Sequence, residues 1–230
     1  MKKTQWLCGI ILSLALIVIT LVTAFELAMY SDFSFYQRMY EKHQVLPELN
    51  MEMEDVMYVT REMMAYLRGN RETLSVYTMV DGEFQDFFGP RERFHMDKVQ
   101  GLFLAGLNIR LIAAVVLLLS LFFLIYMKVD IKKLLPRAFQ WTLAGFTLLT
   151  TIFGIAVAQN FSWVFDVFHE IFFEDECWLF DSRYSYMIRM LPEDFFFDMV
   201  VRIGIFLGVG LLFWLIISII LRCIFRRAYK

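Results

Sequence analysis

The sequence predicts an α-helical integral membrane protein with four transmembrane helices and a small mixed α/β extracellular cap. Three observations predict this fold class. Hydrophobic residues make up 59% of the 230 residues and charged residues only 20%, whereas soluble domains contain about 45–50% and 25%. Four stretches of about 20 or more mostly apolar residues could each cross a bilayer core of about 30 Å as a helix. Two longer and more polar stretches separate the first from the second and the third from the fourth.

The apolar stretches divide the chain into eight segments. The four transmembrane helices are expected at residues 1–25, 102–127, 139–159 and 199–221. The cap is expected at 26–101 and 160–198, a cytoplasmic loop at 128–138 and a basic cytoplasmic tail at 222–230. Lys2 and Lys3 precede the first helix, as they would in a secretory signal peptide. Its uncharged stretch, 6–25, exceeds the usual apolar core of about 7–15 residues, so we predict an uncleaved anchor.

The distribution of basic residues predicts the orientation in the membrane. With four spans, one side carries ten Lys and Arg residues in three short segments, and the other side carries ten spread over the two long polar segments. Short cytoplasmic segments are enriched in Lys and Arg. We therefore expect both termini in the cytoplasm and both long segments outside. The ten clustered residues are Lys2, Lys3, Lys128, Lys132, Lys133, Arg137, Arg222, Arg226, Arg227 and Lys230.

The first cap segment contains three local structure signals. Apolar residues at helical spacing predict a helix that Asn50 caps and that ends before Gly69. Asp81-Gly82 between two short strand-like runs predicts a hairpin with a type I′ turn. Pro90 is expected to begin a helix that continues directly into the second span. The predicted buried stripe of the first helix comprises Met53, Val56, Met57, Thr60, Met63, Met64 and Leu67.

The candidate catalytic residues are histidines. The sequence contains only His43, His95 and His169, all in the predicted cap. His95 precedes the second span by one to two turns and His169 follows the third by about ten residues, so both should lie at or just above the outer membrane face. Glu92 and Asp166 each precede one of them by three residues and could hold one ring nitrogen. We therefore predict that His95 and His169 are catalytic, with Glu92 and Asp166 in support. The alternative is a packing role, which we expect for His43.

Asp97 and Glu170, which lie close to the two histidines in sequence, are further supporting candidates. Together with both histidines, either could form a two-His, one-carboxylate metal site, although the spacing matches no specific motif. The run that starts at His169 and ends at Phe173 fails the H-E-x-x-H zinc motif at its last position. The sequence contains no G-x-S-x-G nucleophile elbow, no Walker A motif and no G-x-G-x-x-G fingerprint.

Three further polar residues could have a functional role. Cys177 is the one thiol in the predicted cap and follows Glu174, Asp175 and Glu176. Negative charges raise the pKa of a thiol, so we interpret Cys177 as non-catalytic. Arg110 and Arg202 lie near the outer ends of two spans. Arginines at such positions usually reach to lipid phosphates, but these two could also position an anionic or ester head group and are candidate substrate-binding residues.

Several motifs resemble those of the lipoprotein intramolecular transacylases, a family of bacterial four-span membrane proteins. The resemblance covers essentially the whole chain, and two histidine motifs are its specific part. They are Glu92-x-x-His95-Met96-x-x-Val99, and Phe168-His169-x-x-Phe172-Phe173-x-x-x-x-Trp178-x-x-Asp181, which closes in Leu191-Pro192-Glu193-x-Phe195-Phe196.

The resemblance implies that His95 and His169 are the family's two essential histidines at the boundary between cap and membrane. It implies a reaction in which the sn-2 acyl chain of a diacylglyceryl-cysteine lipoprotein moves to the α-amine of the same cysteine. The product is the lyso-form, with one chain on nitrogen. Trp178, within the second motif, is a supporting candidate because aromatic side chains would hold acyl chains and exclude water. Either histidine could serve as base, and we favour His169.

These inferences define the expected partners and location. We expect diacylglyceryl-modified lipoproteins and membrane lipid as partners, a monomer, no cofactor, and a bacterial cell membrane location with the active site at the outer face. The net charge of −2 gives no basis for nucleic-acid binding. Two alternatives stay open. One is a metal-dependent membrane hydrolase that uses the histidines with Asp97, Asp166 or Glu170. The other is a non-enzymatic envelope protein whose cap binds a lipid or a protein.

Overall fold

The computed structural model describes residues 2–173 and 176–227. The described part is mostly helical, with one two-stranded antiparallel sheet. In chain order the elements are α1 (Lys3–Tyr30), α2 (Ser34–Lys42), α3 (Val45–Leu49), α4 (Met53–Leu67), β1 (Tyr77–Val80), β2 (Glu83–Asp86), α5 (Pro90–Tyr126), α6 (Ile131–Gln159), α7 (Phe161–Phe172), a 3₁₀ turn (Glu176–Trp178), α8 (Tyr186–Met190) and α9 (Glu193–Arg227).

Four of these helices, α1, α5, α6 and α9, are long and apolar enough to cross a membrane. Four such helices together with a small mixed α/β unit confirm the predicted fold class. The helices extend beyond the apolar segments, since α5 begins at Pro90 as predicted and α1 continues to Tyr30. Helix α6 begins at Ile131, so most of the segment expected to be the loop 128–138 is helical. In the basic tail, residues 228–230 lie outside the described part.

The chain forms two compact units, and the first is purely helical. It consists of residues up to Leu27, Leu107–Gln159 and the chain from Ile203 onward. Two apolar clusters hold its helices together, one around Leu12, Leu124 and Leu134 and one around Ile17, Phe139 and Leu143. Most of the remaining apolar side chains on these helices are exposed, as is typical of helices that face lipid.

The second unit, which we call the mixed unit, comprises Ala28–Gly106 and Asn160–Arg202. Its core is built around α4, and the predicted stripe of that helix is buried from Val56 to Leu67. The Tyr40 and Thr60 hydroxyls, both fully buried, form a 2.6 Å hydrogen bond inside this core. The ring of Tyr40 stacks on Phe195 with centroids 6.0 Å apart, which joins α2 and α4 to the start of α9.

Two local predictions for the mixed unit have different outcomes. The hairpin is confirmed, because β1 and β2 pair on either side of Asp81 (φ 52°) and Gly82 (φ 80°), the two positive φ values that a type I′ turn requires. The cap at Asn50 is wrong. Asn50 adopts φ 48° and ends α3, and α4 begins at Met53. Asparagine tolerates the left-handed conformation that helix ends favour, so it suits the end of α3.

Candidate active site

The structure brings together two histidines that are far apart in the sequence. His95 lies on α5 and His169 on α7, and their ring centroids are 6.2 Å apart with the planes inclined by 20°. Both belong to the mixed unit, and their exposed fractions are only 7% and 9%. The pair therefore forms a single buried site to which two different helices contribute.

Aromatic rings surround both imidazoles. The rings of Phe173 and Phe180 lie 4.7 and 5.6 Å from the ring of His95. The Trp178 ring stacks on His169 at 4.9 Å, and Phe165 lies 4.2 Å away. Among the predicted supporting residues, Trp178 is thus in direct contact with the pair. Such walls exclude water and fix the orientation of the imidazole rings.

Burial changes the protonation of both histidines. His95 lies outside the apolar stretch 102–127, and desolvation, with a smaller contribution from the nearby His169, lowers its pKa to about 4. Desolvation also lowers the pKa of His169, although a hydrogen bond to Phe165 and the charge of Asp166 act in the opposite direction. Both imidazoles are therefore neutral at pH 7. A neutral imidazole offers one N–H donor and one acceptor nitrogen, so the tautomer decides what each can do.

The contacts of His169 select its tautomer. Its Nδ1 lies 2.7 Å from the backbone carbonyl oxygen of Phe165, one turn earlier in α7. A carbonyl oxygen only accepts hydrogen bonds, so Nδ1 donates and carries the proton. Nε2 of His169 consequently has a free lone pair, as a general base requires.

The contact of His95 is compatible with the other tautomer. Its Nδ1 lies 3.9 Å from Sγ of Cys177, and both side chains are buried. A thiol is a weak donor and its sulfur a weak acceptor, and donation from the thiol to Nδ1 would leave the proton of His95 on Nε2. The acidic neighbours of Cys177, of which Glu174 and Asp175 lie outside the described residues, predict a non-catalytic thiol. No local spacing signals the contact with His95, because the two partners are 82 positions apart in the sequence.

The expectation that Glu92 holds His95 is wrong. The buried Glu92 carboxylate instead accepts hydrogen bonds from the Gly89 backbone N–H (2.6 Å), the Ser185 hydroxyl (2.5 Å) and the Met187 backbone N–H (3.0 Å). These groups lie just before α5 and at the start of α8. Unpaired N–H groups at helix starts need acceptors. Both carboxylate oxygens of Glu92 accept such hydrogen bonds and join these two elements.

The other predicted carboxylates also do not bind the histidine rings. Asp166 and Glu170 are exposed on α7, and Asp166 acts on His169 only through its charge. The Nδ1 of His169 is already bound to the Phe165 carbonyl group. Asp97 accepts a 3.4 Å hydrogen bond from the Tyr66 hydroxyl. Within residues 2–173 and 176–227, no three His, Cys, Asp or Glu side chains are grouped closely enough to hold a metal ion.

A comparison with known protein families adds the decisive observation. The sequence profile of the family described as lipoprotein intramolecular transacylase Lit matches residues 10–196, which include both histidines and most of both units. The chain belongs to this family. Its members are acyltransferases, and the resemblance seen in the sequence is confirmed. No curated protein matches the chain significantly by sequence.

Solved structures of the membrane integral transacylase Lit from Bacillus cereus share the fold of this transacylase family member. One is 19% identical, with 99% of this chain and 96% of that chain covered and a TM-score of 0.73. A second, which carries a histidine-to-arginine substitution, is 16% identical, with 98% of this chain and 95% of that chain covered and a TM-score of 0.77. A third, with a histidine-to-alanine substitution, is 17% identical, with 97% of this chain and 93% of that chain covered and a TM-score of 0.71. This shared fold and the four helices that are long and apolar enough to cross a membrane identify the chain as a multi-pass membrane protein.

The two arginines predicted to bind substrate have protein partners in this transacylase family member. Arg110, in the helical unit, pairs with Glu26. In the mixed unit, the guanidinium of Arg202 lies 4.2 Å from the centre of the Phe35 ring and donates to the Asp32 carbonyl oxygen at 3.4 Å. Each guanidinium therefore has an interaction partner within the chain, and a role in substrate binding stays a prediction.

His43 lies outside the histidine pair, and its ring has an acidic partner that the sequence did not reveal. Its Nε2 is 2.8 Å from a carboxylate oxygen of Asp198, which also binds Lys42. His43 and Asp198 are 155 positions apart in the sequence, which explains why no local pattern identified this pair. His43 is therefore a suitable control in experiments on the other two histidines.

Proposed function

We propose that this chain catalyses the intramolecular transfer of the sn-2 acyl chain of a diacylglyceryl-cysteine lipoprotein to the α-amine of the same cysteine. The single observation that carries this proposal is the buried pair of neutral imidazoles at His95 and His169. The carbonyl contact of His169 places its proton on Nδ1, and donation from the Cys177 thiol would place the proton of His95 on Nε2, so that the pair offers one acceptor nitrogen and one N–H donor. Acyl transfer to an amine needs both functions.

Each histidine has a distinct role in the proposed reaction. Nε2 of His169 takes the proton from the α-amine as its nitrogen attacks the ester carbonyl carbon. The Nε2–H of His95 donates to the carbonyl oxygen, on which negative charge develops. The bond between the carbonyl carbon and the glycerol oxygen then breaks, and His169 returns the proton to that oxygen. An amide and a glycerol hydroxyl result, and both histidines regain their starting state.

Three contributions to the rate acceleration are available to this mechanism. General acid–base catalysis contributes about 10²–10⁴-fold, and one oxyanion donor contributes about 2.7–4 kcal/mol. The amine and the ester belong to the same molecule, and good intramolecular alignment contributes up to about 7–11 kcal/mol. The amine, with a pKa of about 7.7–8.0, is partly neutral at physiological pH. No covalent enzyme intermediate is required.

The aromatic walls have a role in the choice of product. Water competes with the amine for an activated ester, and hydrolysis would release a fatty acid. Phe173, Phe180 and Trp178 line the histidine pair, and both imidazoles are buried. An apolar site also suits the acyl chains of the substrate. We propose that these three rings contact the chain that is transferred.

The distribution of charge supports a location for the reaction. Basic residues cluster in the short segments at the termini and near 128–138, which supports cytoplasmic termini. The mixed unit would then lie on the outer side of the cell membrane, where lipoproteins are anchored. We propose that the chain acts there as a monomer, since both histidines come from one chain, and that membrane lipid surrounds its four spans.

Mass spectrometry of lipoprotein N-terminal peptides tests the proposal. The chain is produced in bacterial cells whose lipoproteins carry only the diacylglyceryl group, and the fragments show whether one acyl chain has moved to nitrogen. We expect the lyso-form with the original chain and with His43→Ala, and none with His95→Ala or His169→Ala. All variants must insert into the membrane at similar levels. Lyso-form production by inserted His169→Ala protein would overturn the proposal.

A chelator experiment separates this proposal from a metal-dependent hydrolase. We expect purified protein to form lyso-form product at an unchanged rate in excess EDTA, because the two histidines and the substrate amine supply all the groups that the reaction uses. Loss of activity in EDTA, with recovery on addition of a divalent metal, would favour the hydrolase. Release of free fatty acid in place of the amide would point to the same conclusion.

A further inference from the structure

Helix α7 carries His169 on one face and a large apolar surface on another. Asn160 is the one residue between α6 and α7, and its side chain accepts a 3.0 Å hydrogen bond from the Trp163 N–H at the start of α7. His169 and the half-buried Phe165 face the interior of the mixed unit. The exposed apolar residues are Trp163 (57%), Phe168 (44%), Ile171 (67%) and Phe172 (50%).

The pattern of α7 differs from that of a helix in a water-exposed domain. Helix α4 of the same unit buries its apolar stripe and exposes polar side chains. In α7 the exposed side is itself largely apolar, and Asp166 and Glu170 form only a narrow acidic edge along it. Exposed apolar patches of this kind mark contacts with a partner or a membrane. An amphipathic helix with aromatic residues on its apolar face is typical of helices that lie in a bilayer interface.

Chain connectivity identifies the occupant of this surface. Helix α6 is a membrane-spanning helix that ends at Gln159. Consecutive Cα atoms are about 3.8 Å apart, so α7 begins within a few ångströms of the point where α6 ends. Trp163 lies in the first turn of α7, and tryptophan is enriched at the level of lipid head groups. The hydrocarbon of the adjoining leaflet is therefore the apolar medium within reach of this face.

We propose that α7 is an interfacial helix whose Phe168, Ile171 and Phe172 side chains insert into the hydrocarbon edge of the leaflet in which α6 ends, while Trp163 lies at the head-group level beside the acidic edge. The partner is the lipid bilayer itself. Because the edge of the inserted face is acidic, the binding is apolar in origin and does not require anionic lipids. This inference goes beyond the proposed reaction and does not depend on it.

The inferred placement sets the depth of the catalytic pair. Ile171 and His169 are two residues apart, which on an α-helix places them on opposite sides, about 200° around the axis. A helix with its side chains is about 10–12 Å wide. His169 therefore lies within about one helix diameter of the hydrocarbon edge. The ester groups of a membrane lipid are at this level.

Depth measurements with spin labels test the inference. Cys8 and Cys223 are replaced by serine in the full chain, the buried Cys177 is kept, and a nitroxide is attached to Ile171→Cys or, as the matched control, to the adjacent Glu170→Cys. The protein is reconstituted in phosphatidylcholine vesicles. Collision rates are then measured with oxygen, which concentrates in hydrocarbon, and with a nickel chelate, which stays in water.

We expect the label at position 171 to collide at least about threefold more often with oxygen than with the nickel chelate, and the label at 170 to show the reverse. Preference for the nickel chelate at both positions would overturn the inference. Low collision rates with both reagents at 171 would also overturn it, because they would indicate that a second protein surface covers the face.

A second measurement needs no label. Lipids brominated near the head-group end of the acyl chain quench tryptophan emission within a few ångströms. We expect Trp163→Phe to remove emission that these lipids quench strongly, with the remaining tryptophans as the internal reference. If the emission lost in Trp163→Phe is not quenched by the brominated lipids, the helix does not lie in the interface.

Discussion

The Cys177 thiol lies 3.9 Å from Nδ1 of His95, and both groups are buried. The contact joins α5 to the 3₁₀ turn and gives Nδ1 of His95 a neighbour that can donate. In the proposed reaction this leaves the Nε2–H of His95 directed to the substrate oxygen. We propose that Cys177 positions His95 and is not a nucleophile, and this role can be tested apart from the fold.

Two substitutions at Cys177 should have different effects. Cys177→Ser keeps a donor and should retain most of the transacylase activity. Cys177→Ala removes the donor, and we expect kcat to fall about 3–10-fold with little change in KM, which corresponds to about 1 kcal/mol for one hydrogen bond. ¹⁵N chemical shifts of His95 should show a larger fraction of the Nδ1–H tautomer in Cys177→Ala. Equal kcat values and identical tautomer ratios in the two variants would show that the thiol only fills space.

The pH dependence of the rate follows from the lowered histidine pKa values. Desolvation lowers the pKa of His95 to about 4 and also lowers that of His169, so His95 stays neutral as the pH falls through 6.5 and His169 binds a proton less readily than an ordinary histidine. The amine of the substrate, with a pKa of about 7.7–8.0, becomes protonated instead. We expect log kcat/KM to fall with unit slope below about pH 7.5. A slope that steepens to two near pH 6.5 would show that a histidine titrates at its ordinary value.

The same burial predicts a pH dependence of stability. Below pH 6.5 the unfolded chain binds a proton at His95 that the folded chain does not bind until about pH 4. The free energy of unfolding should therefore fall between pH 6.5 and 4, by at most about 1.4 kcal/mol per pH unit. We expect His95→Gln to reduce this slope in detergent-solubilised protein, with the two curves parallel above pH 7. An equal slope in both proteins would contradict the predicted burial of His95.

Glu92 should matter for stability and not as a partner of His95. Its carboxylate accepts three hydrogen bonds from Gly89, Ser185 and Met187, and Glu92→Ala would leave buried donors unpaired. We expect a loss of about 2–4 kcal/mol in the free energy of unfolding, measured by thermal or denaturant unfolding. Asp166→Asn, an exposed site on α7, serves as control and should change it by less than about 0.5 kcal/mol. If Asp166→Asn proved as destabilising as Glu92→Ala, the assignment of Glu92 would be wrong.

Local patterns in the sequence were sufficient for much of the fold. The stripe of α4, the Asp81-Gly82 hairpin and the helix start at Pro90 each depend on interactions within a few residues, so period and turn chemistry predict them. Asn50 shows the limit of such patterns, because an asparagine suits either end of a helix. Only the neighbouring elements decide between the two.

The site depends on contacts that no local pattern contains. The sequence indicated that His95 and His169 would lie at similar depth, and the structure places their rings together. The partners of these rings were not predictable. Cys177 and Phe165 contact them through tertiary packing and a backbone carbonyl, while Glu92, which has the expected spacing, binds Ser185 across 93 residues.

The most direct test of the central claim uses a synthetic diacylglyceryl-cysteine peptide with a deuterated sn-2 acyl chain. Purified protein is incubated with this peptide and with an unlabelled peptide of different sequence, and tandem mass spectrometry locates the label. We predict that deuterium appears on the cysteine nitrogen of the labelled peptide alone, that Cys177→Ser and His43→Ala behave alike, and that His95→Ala and His169→Ala give no transfer. Deuterated chain on the second peptide, or transfer by inserted His169→Ala protein, would contradict intramolecular transfer by the histidine pair.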